Sequence, residues 1–355
     1  MIVLVKDFIK PLYEEAHFIM GFFFLIFSCS SPDKYINING QTMGTTYSIK
    51  LNIEDKNLDH DDLKNKVDSV LNRLNTVFST WDNESEISNF NKALDTDGIL
   101  ISEDFKNVIN RALSISNATN GYFDVTVFDL MSFWGFGPKP YKEPIKLERI
   151  DSILNFTGSE FLVLEKNILT KIHPFVKIDL NSIAKGYGVD KIFNYLVEQN
   201  FKDVFVEIGG EVRARGYNPK GSFWKIGIES PYEDVKTKEP FIGIIELNNK
   251  SMATSGNYRN FIKYKNKVLG HTIDPRKGYP VNSNILSVTV ISDFGIVSDA
   301  WATAIMAMEY ESALNILENT DNINVIWVLN VEGKNYIRVY GDVTLSNEKY
   351  EILKN

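Results

Sequence analysis

Cysteine is almost absent from this chain of 355 residues, which contains a single one, Cys29. One cysteine excludes an internal disulfide framework. Positive charge is outnumbered as well: the chain has 38 Lys and Arg residues and 46 Asp and Glu residues, which gives a formal net charge of −8. No lysine-rich face or tail stands out in the sequence. This composition argues against nucleic acid as a partner.

A hydrophobic run long enough to cross a bilayer is missing as well. The run FIMGFFFLIF, at 18–27, has about ten residues, which is too few for a membrane-spanning helix and typical of the apolar region of a signal peptide. It leads directly into Ser28-Cys29-Ser30-Ser31. The stretch Ile26-Phe27-Ser28-Cys29 resembles a bacterial lipobox, in which the cysteine is lipidated and becomes the first residue of the mature chain.

We therefore expect residues 1–28 to be a lipoprotein signal peptide, Cys29 to be lipidated and residues 29–39 to be a polar tether. The protein would then be anchored by lipid to a bacterial membrane, on the extracytoplasmic (periplasmic) side. The alternative is a short buried helix that ends in a chance cysteine.

Apolar residues, by contrast, are plentiful: they make up 44% of the chain, with 12% aromatic, which is enough for a substantial core. Helical and strand patterns are mixed without a regular βαβ rhythm. We predict an α+β fold in a single large mixed unit, either undivided or formed from two lobes. The clearest predicted elements are helices over 61–78 and after Ser102, a strand over 41–53, a hairpin at Gly209-Gly210, a strand over 285–292, and a helix that Ser298 caps and that runs to about Leu317.

The segment KIDLNSIAKGYGVDKI, at 177–192, is the first candidate for a functional site. It predicts a strand, a turn and the start of a helix, where backbone N–H groups and the helix dipole favour an anion. Lys185 adds a positive charge suited to phosphate, and Gly186 and Gly188 would let a bulky ligand approach the backbone. Asp179 would accept from a ligand N–H or O–H, or cap the turn. A structural turn with a surface lysine is the alternative.

The segment Ser298-Asp299-Ala300-Trp301-Ala302-Thr303 places a carboxylate and a hydroxyl four residues apart. At that spacing both oxygens project from one face of a helix, and hard oxygen ligands suit Mg²⁺. Alternatively, Asp299 complements the helix dipole and Thr303 bonds back to a backbone carbonyl.

One of the four histidines stands in the context of a site. His271 follows Gly270 and precedes a tight turn in HTIDP, although it could be an ordinary turn histidine. Aromatic residues follow two predicted helix ends, at Trp81 and at Tyr122-Phe123. Core packing is the default interpretation of such aromatics, and stacking on a planar ring system is the alternative.

Taken together, eight segments resemble the ApbE family of FAD:protein FMN transferases, in the family's order and over roughly 40–340. They are MGTTYSI, STWDNESEISNFN, NGYFDVTV, KIDLNSIAKGYGVDKI, VEIGGEVRARG, MATSGNYRNF, HTIDPRKG and SDAWATAIM. The resemblance implies a domain over 40–345 with an α+β architecture related to the T-fold. It also implies Mg²⁺-dependent transfer of FMN from FAD to a threonine or serine hydroxyl of another protein, usually a subunit of a membrane redox pump.

The resemblance also implies roles for individual residues. The FAD contacts fall on Met43, Trp81, Tyr122, Phe123, Asp124, Asp179, Lys185 and Ile273. The metal ligands fall on Asp299 and Thr303, with backbone oxygens of Ser182 and Ala302, and His271 lies near the reacting phosphate. The chain departs from the family at Asn181-Ser182, where small residues are common, and at Trp301.

The implied reaction is attack of the acceptor hydroxyl on the FMN phosphorus, with release of AMP. Either His271 or Asp299 could take the hydroxyl proton. The family's acceptor pattern, Asp-Gly-x-(Ser/Thr)-Gly-(Ala/Ser)-Thr, is absent from this chain, so the acceptor must be another protein. Two alternatives remain: an FAD pyrophosphatase, in which water replaces the acceptor, and a non-catalytic, lipid-anchored flavin-binding protein.

Overall fold

Eight α-helices and nineteen β-strands occur in the described part of the chain, which in this computed structural model comprises residues 34–54, 58–138, 140, 146–231, 241–256, 261–264, 267–346 and 350–353. The helices are α1 His60–Phe78, α2 Glu86–Lys92, α3 Glu103–Ala118, α4 Phe128–Trp134, α5 Glu148–Leu154, α6 Ala184–Glu198, α7 Gly295–Met306 and α8 Tyr310–Leu317. The expected signal peptide and Cys29 lie outside the described residues and stay predictions.

The strands are short, and most belong to one large sheet. They are β1 Tyr35–Thr42, β2 Thr45–Asn52, β3 Ile99–Leu100, β4 Leu162–Glu165, β5 Ile168–Lys171, β6 Val204–Ile208, β7 Glu211–Arg215, β8 Trp224–Glu229, β9 Phe241–Leu247, β10 Lys250–Gly256, β11 Phe261–Tyr264, β12 Lys267–Gly270, β13 Ile273–Asp274, β14 Tyr279–Pro280, β15 Ile285–Ser292, β16 Asn324–Val331, β17 Lys334–Tyr340, β18 Leu345–Ser346 and β19 Glu351–Ile352.

The large sheet has nine strands in the order β1-β2-β6-β7-β10-β15-β16-β17-β19. Its pairs are antiparallel except for β17 with β19. Side chains alternate between its two faces, as the pleat of a strand requires. In β16, for example, Val325 and Trp327 pack on the helical side, while Ile326 and Val328 pack on the other.

Helices cover one face of this sheet. The apolar stripes of α1 and α6 pack on β2 and β6, α7 packs on β10 and β15, and α3 packs against α7. A three-stranded sheet, in the order β18-β9-β8, covers the opposite face through a separate apolar cluster. The described residues from Lys34 onwards form one compact unit, in agreement with the predicted single α+β unit. None of the described helices combines the length and the apolar character that a bilayer span needs.

Two sequence predictions need correction. The tether predicted over 29–39 overlaps β1, so that 35–39 belong to the sheet: alternate residues such as Ile38 are buried against the first helix. Ser298 does not cap a helix that runs to Leu317. Helix α7 begins three residues earlier, at Gly295, and it ends at Met306, because Glu309 adopts an extended conformation that separates it from α8.

Candidate active site

A cleft of about 1160 Å³ opens where the helical layer and both sheets meet. Its wall includes the β1–β2 turn, the β6–β7 turn, the first turn of α6, one side of α7 and the loop around His271. Of the described residues to which the family resemblance assigns a role, all but Ala302 line this cleft. Segments far apart in the chain therefore contribute to one site.

Helices α6 and α7 form the base of the cleft and cap each other. No side chain of its own segment caps α6, and the Gly186 N–H instead donates to Oδ2 of Asp299 on α7 at 2.9 Å. In return, Asp190 of α6 accepts from the N–H groups of Gly295 and Ile296 at 2.8 and 3.0 Å. Carboxylates at helix N-termini satisfy free donors and complement the dipole, so this exchange fixes both helix starts.

The glycines at the start of α6 serve packing, and the prediction that they admit a bulky ligand is wrong. A Cβ on Gly186 would lie 2.2 Å from the carbonyl oxygen of Gly295, because the two helices touch there through their backbones. A Cβ on Gly188 would meet the side chains of Met43 and Ile208 at 3.2 and 3.3 Å. Neither glycine lines the cleft.

A lysine and two carboxylates form the electrostatic centre of the cleft. The Lys185 Nζ lies 3.4 Å from Oε1 of Glu211 and 3.9 Å from Oδ1 of Asp299, and it donates to the Asn181 carbonyl at 3.3 Å. Burial alone would lower the pKa of Lys185, but the Asp299 and Glu211 carboxylates raise it above its ordinary value. The ammonium group therefore stays charged and available to an anionic ligand.

Glu211 is a buried acid of the cleft that the sequence did not single out. The β6–β7 turn positions it: Gly209 and Gly210 both have positive φ, and Oε1 of Glu207 accepts the Gly210 N–H at 2.7 Å. Glu211 is 5% exposed, and its Oε2 has no hydrogen-bond partner within the described residues. Burial raises the pKa of Glu211 to about 8, against the opposing charge of Lys185. The available signal was an acid placed directly after a Gly-Gly turn at the start of a buried strand.

The donor set at this point suits a hard divalent cation. Asp299 and Thr303 lie one turn apart on α7, as predicted, and Thr303 Oγ1 lies 3.5 Å from Ser255 Oγ. No group of three or more His, Cys, Asp or Glu side chains that could hold a metal occurs among the described residues. One carboxylate with hydroxyl and backbone oxygens, plus the free Glu211 oxygen, fits Mg²⁺, which keeps several waters and shares substrate phosphates.

Ala302 differs from the other predicted metal ligands in its surroundings. It is fully buried in the core between α7 and the large sheet, and it is not part of the cleft wall. A role for its backbone oxygen stays a prediction. Ser182 does line the cleft, in the turn before α6.

Two further acids predicted to bind FAD already have protein partners. Asp179 accepts from the backbone and side-chain nitrogens of Asn181 at 2.8 and 3.1 Å, so it caps the turn that leads into α6. Asp124 accepts from the N–H groups of Thr126 and Ser159 at 2.8 and 2.7 Å. Burial raises the pKa of both carboxyls, and the bonds they accept oppose the shift. Both line the cleft, where they shape the wall and orient the backbone.

The aromatic candidates line different parts of the cleft. Trp81 is 69% exposed and lies near Met43, whose φ is positive in the β1–β2 turn. Elsewhere in the cleft, the guanidinium carbon of Arg276 lies 3.3 Å from the centre of the Tyr122 ring. Phe123 and Ile273 are buried. An exposed tryptophan at a cleft is more consistent with stacking on a ligand than with core packing.

His271 lies between β12 and β13, two residues before Ile273. Its ring is 6.2 Å from that of Phe136, centre to centre, in an edge-to-face arrangement. Both residues line the cleft. The sequence did not single out Phe136 or Arg276, whose positions depend on contacts between distant segments.

Comparison with known proteins finds the same family that the sequence motifs resemble. The sequence model of the ApbE family matches residues 43–327. The FAD:protein FMN transferase of Vibrio cholerae serotype O1 is 35% identical over 309 residues, covering 87% of this chain and 91% of that protein. The corresponding protein of Haemophilus influenzae is 34% identical over 336 residues, covering 92% and 93%.

Solved structures agree with this result. The flavin transferase ApbE from Vibrio cholerae superposes with a TM-score of 0.78 at 34% identity, covering 89% of this chain and 98% of that one. The apo form of the Pseudomonas stutzeri flavinyl transferase ApbE gives a TM-score of 0.76 at 28% identity, covering 89% and 95%.

Proposed function

This chain belongs to the ApbE family, and we infer that it is a transferase that moves FMN from FAD to a protein. The observation that carries this inference is the position of Lys185 between Glu211 and Asp299, in a cleft that Thr303 also lines. A pyrophosphate needs a cation at its charged oxygens, and a lysine shared by two acids retains its charge there.

We propose that the reaction depends on Mg²⁺, held by Asp299, Thr303 and the backbone oxygen of Ser182. Bound there, the ion would polarise phosphate oxygens and neutralise charge on the leaving group. Lys185 would bind the pyrophosphate as a point charge, while Met43 and Trp81 on one side and Tyr122 and Ile273 on the other would hold the two ends of FAD. Phosphoryl transfer relies mainly on such positioning and charge neutralisation.

His271 is the stronger candidate for the group that takes the acceptor proton. The Asp299 carboxylate accepts the Gly186 N–H with one oxygen and faces Lys185 with the other, so neither oxygen is well placed to act as a base. The acceptor oxygen forms a bond to the FMN phosphorus, the bond from that phosphorus to the bridging oxygen breaks, and AMP leaves with that oxygen. The hydroxyl proton passes to His271.

The proposal also covers the acceptor protein and the location of the enzyme. We propose that the acceptor carries Asp-Gly-x-(Ser/Thr)-Gly-(Ala/Ser)-Thr and is a subunit of a membrane redox pump, as the resemblance to the family implies. Lipidation of Cys29 would hold the enzyme at the extracytoplasmic face of a bacterial membrane, near such an acceptor.

The test is to incubate the protein with FAD, Mg²⁺ and a peptide containing Asp-Gly-x-Thr-Gly-Ala-Thr. We expect the mass of the peptide to increase by one FMN, with AMP released in equal amount. A His271→Ala variant should react about 10²–10⁴-fold more slowly, since a proton-transfer group contributes that much to rate, and should bind FAD as the parent does. Free FMN and AMP with an unmodified peptide would indicate a pyrophosphatase, and bound FAD without turnover would indicate a flavin-binding protein.

A further inference from the structure

The cleft also extends between the two sheets, into a part that FAD, as placed above, does not need. Its wall is formed by Phe205 of β6 and Met252 of β10 from the nine-stranded sheet, and by Ile226 of β8 and Phe241 of β9 from the three-stranded sheet. We call this the inter-sheet arm. It lies on the face of the large sheet opposite the helices, because Phe205, Met252 and Ile226 belong to the apolar cluster between the two sheets.

The inter-sheet arm is an apolar surface whose aromatic side chains are held in place by packing and that remains open to solvent. The Phe205 ring lies 5.2 Å from the Trp224 ring, centre to centre, which fixes its orientation. Phe241 lies directly over Gly227, where a Cβ would meet its ring at 2.5 Å. Phe241 is nevertheless 45% exposed. A large aromatic side chain that is held in place and half exposed is typical of a contact surface for a protein partner.

The inter-sheet arm meets the proposed cation site through β10. Thr254 and Ser255 both line the cleft, and Ser255 Oγ lies 3.5 Å from Thr303 Oγ1 on α7. Thr254 is held by a hydrogen bond with Thr289 at 2.8 Å. An occupant of the arm would therefore end beside the oxygens that surround the reacting phosphate.

Three groups meet at one phosphorus in the proposed reaction: the riboflavin part of FMN, the departing AMP and the acceptor hydroxyl. The attacking and leaving oxygens must lie roughly in line, on opposite sides of the phosphorus. Residues proposed to contact FAD form the other two parts of the cleft, around Met43 and around Tyr122. We propose that the inter-sheet arm binds the segment of the acceptor protein that carries the hydroxyl. This proposal rests on the transferase function proposed above.

The chemistry of the arm indicates the kind of segment it would bind. Within the described residues, β8 is an edge strand of its sheet, and edge strands can pair with an extended peptide through main-chain hydrogen bonds. The apolar floor favours an uncharged side chain next to the hydroxyl residue. Glu207 and Glu229 also line the cleft, and their carboxylates would keep acidic acceptor residues outside the arm.

The experiment compares Phe241→Ala and Ile226→Ala with Phe223→Ala, a control that removes a partly exposed aromatic that is not part of the cleft wall. For each variant, KM for the acceptor protein is measured from FMN incorporation, Kd for FAD from flavin fluorescence, and folding from thermal unfolding. We expect both arm variants to raise the acceptor KM at least about 10-fold, consistent with the loss of one buried contact residue. Kd for FAD should stay within about 2-fold of the parent value, and the control should match the parent in both.

The possible outcomes separate this inference from the function on which it rests. If the parent protein modifies no acceptor, the proposed function fails and the inference fails with it. If the parent modifies the acceptor and the arm variants keep the parent KM, the inference alone is wrong. If the arm variants weaken FAD binding instead, the arm holds part of the cofactor and the acceptor approaches from elsewhere.

Discussion

Glu211→Gln should change how the stability of the ligand-free protein depends on pH. The substitution keeps the size of the side chain and removes its charge, in a position where the carboxyl is almost completely buried beside Asp299. A glutamine can still accept from Lys185 through its oxygen and can donate to a carboxylate through its amide. The variant should therefore fold, and its stability should differ from the parent mainly through the missing titration.

The magnitude follows from the shift in pKa. Burial raises the pKa of Glu211 from 4.5 to about 8 in the folded protein. Because the folded-state pKa lies above the unfolded one, the stabilising contribution is fully present below about pH 4.5 and is lost as the pH rises towards 8. Each pH unit inside that window costs about 1.4 kcal/mol. Between pH 6 and pH 8 the parent should lose about 2 kcal/mol relative to the variant.

The assay is urea unfolding of both proteins in EDTA at pH 6, 7 and 8, with the free energy of unfolding taken from each curve. Groups that titrate in both proteins cancel in the difference. Glu229→Gln, an exposed substitution at the cleft, is the matched control and should stay within about 0.5 kcal/mol of the parent. Adding Mg²⁺ should reduce the difference, because a bound cation favours the ionised carboxyl. A difference between parent and Glu211→Gln that is the same at all three pH values would refute the reasoning.

Three further predictions concern other parts of the chain. Asp299→Asn keeps an acceptor for the Gly186 N–H, so it should fold normally yet lose Mg²⁺ binding by calorimetry and about 10²-fold or more in turnover; full activity would rule out the metal assignment. Gly186→Ala should destabilise the protein by about 1–3 kcal/mol through overpacking against Gly295, and unchanged unfolding would contradict the close helix contact. Cys29→Ala should release the protein from membranes, and a variant that still carries lipid would refute the anchor.

Much of the fold could be predicted because its signals are local. The apolar face of α1, the alternation of β8 and the Gly-Gly turn between β6 and β7 each depend on neighbouring residues. The same holds for Asp299 and Thr303, whose shared face follows from the helical repeat alone. Lys185 was recognised for a similar reason, because the neighbouring residues predict that it lies in the first turn of a helix.

Other features depend on segments that are far apart in the sequence. The start of α7 is set by Asp190 on α6, and the start of α6 is set by Asp299 on α7, so no pattern within either helix could locate both. Gly186 is required by the backbone of Gly295, which lies more than a hundred residues further along the chain.

The sequence by itself therefore determined many of the elements, the family and most of the chemical groups of the site, because periodicity and motifs are properties of neighbouring residues. The tertiary structure decided the environment of those groups. Only the folded chain brings Glu211 beside Lys185 and buries it with one oxygen unpaired among the described residues. Only the packing of two sheets against each other creates the inter-sheet arm. Burial, pKa and the shape of a cleft arise from contacts between distant segments, and a local sequence pattern does not predict those contacts.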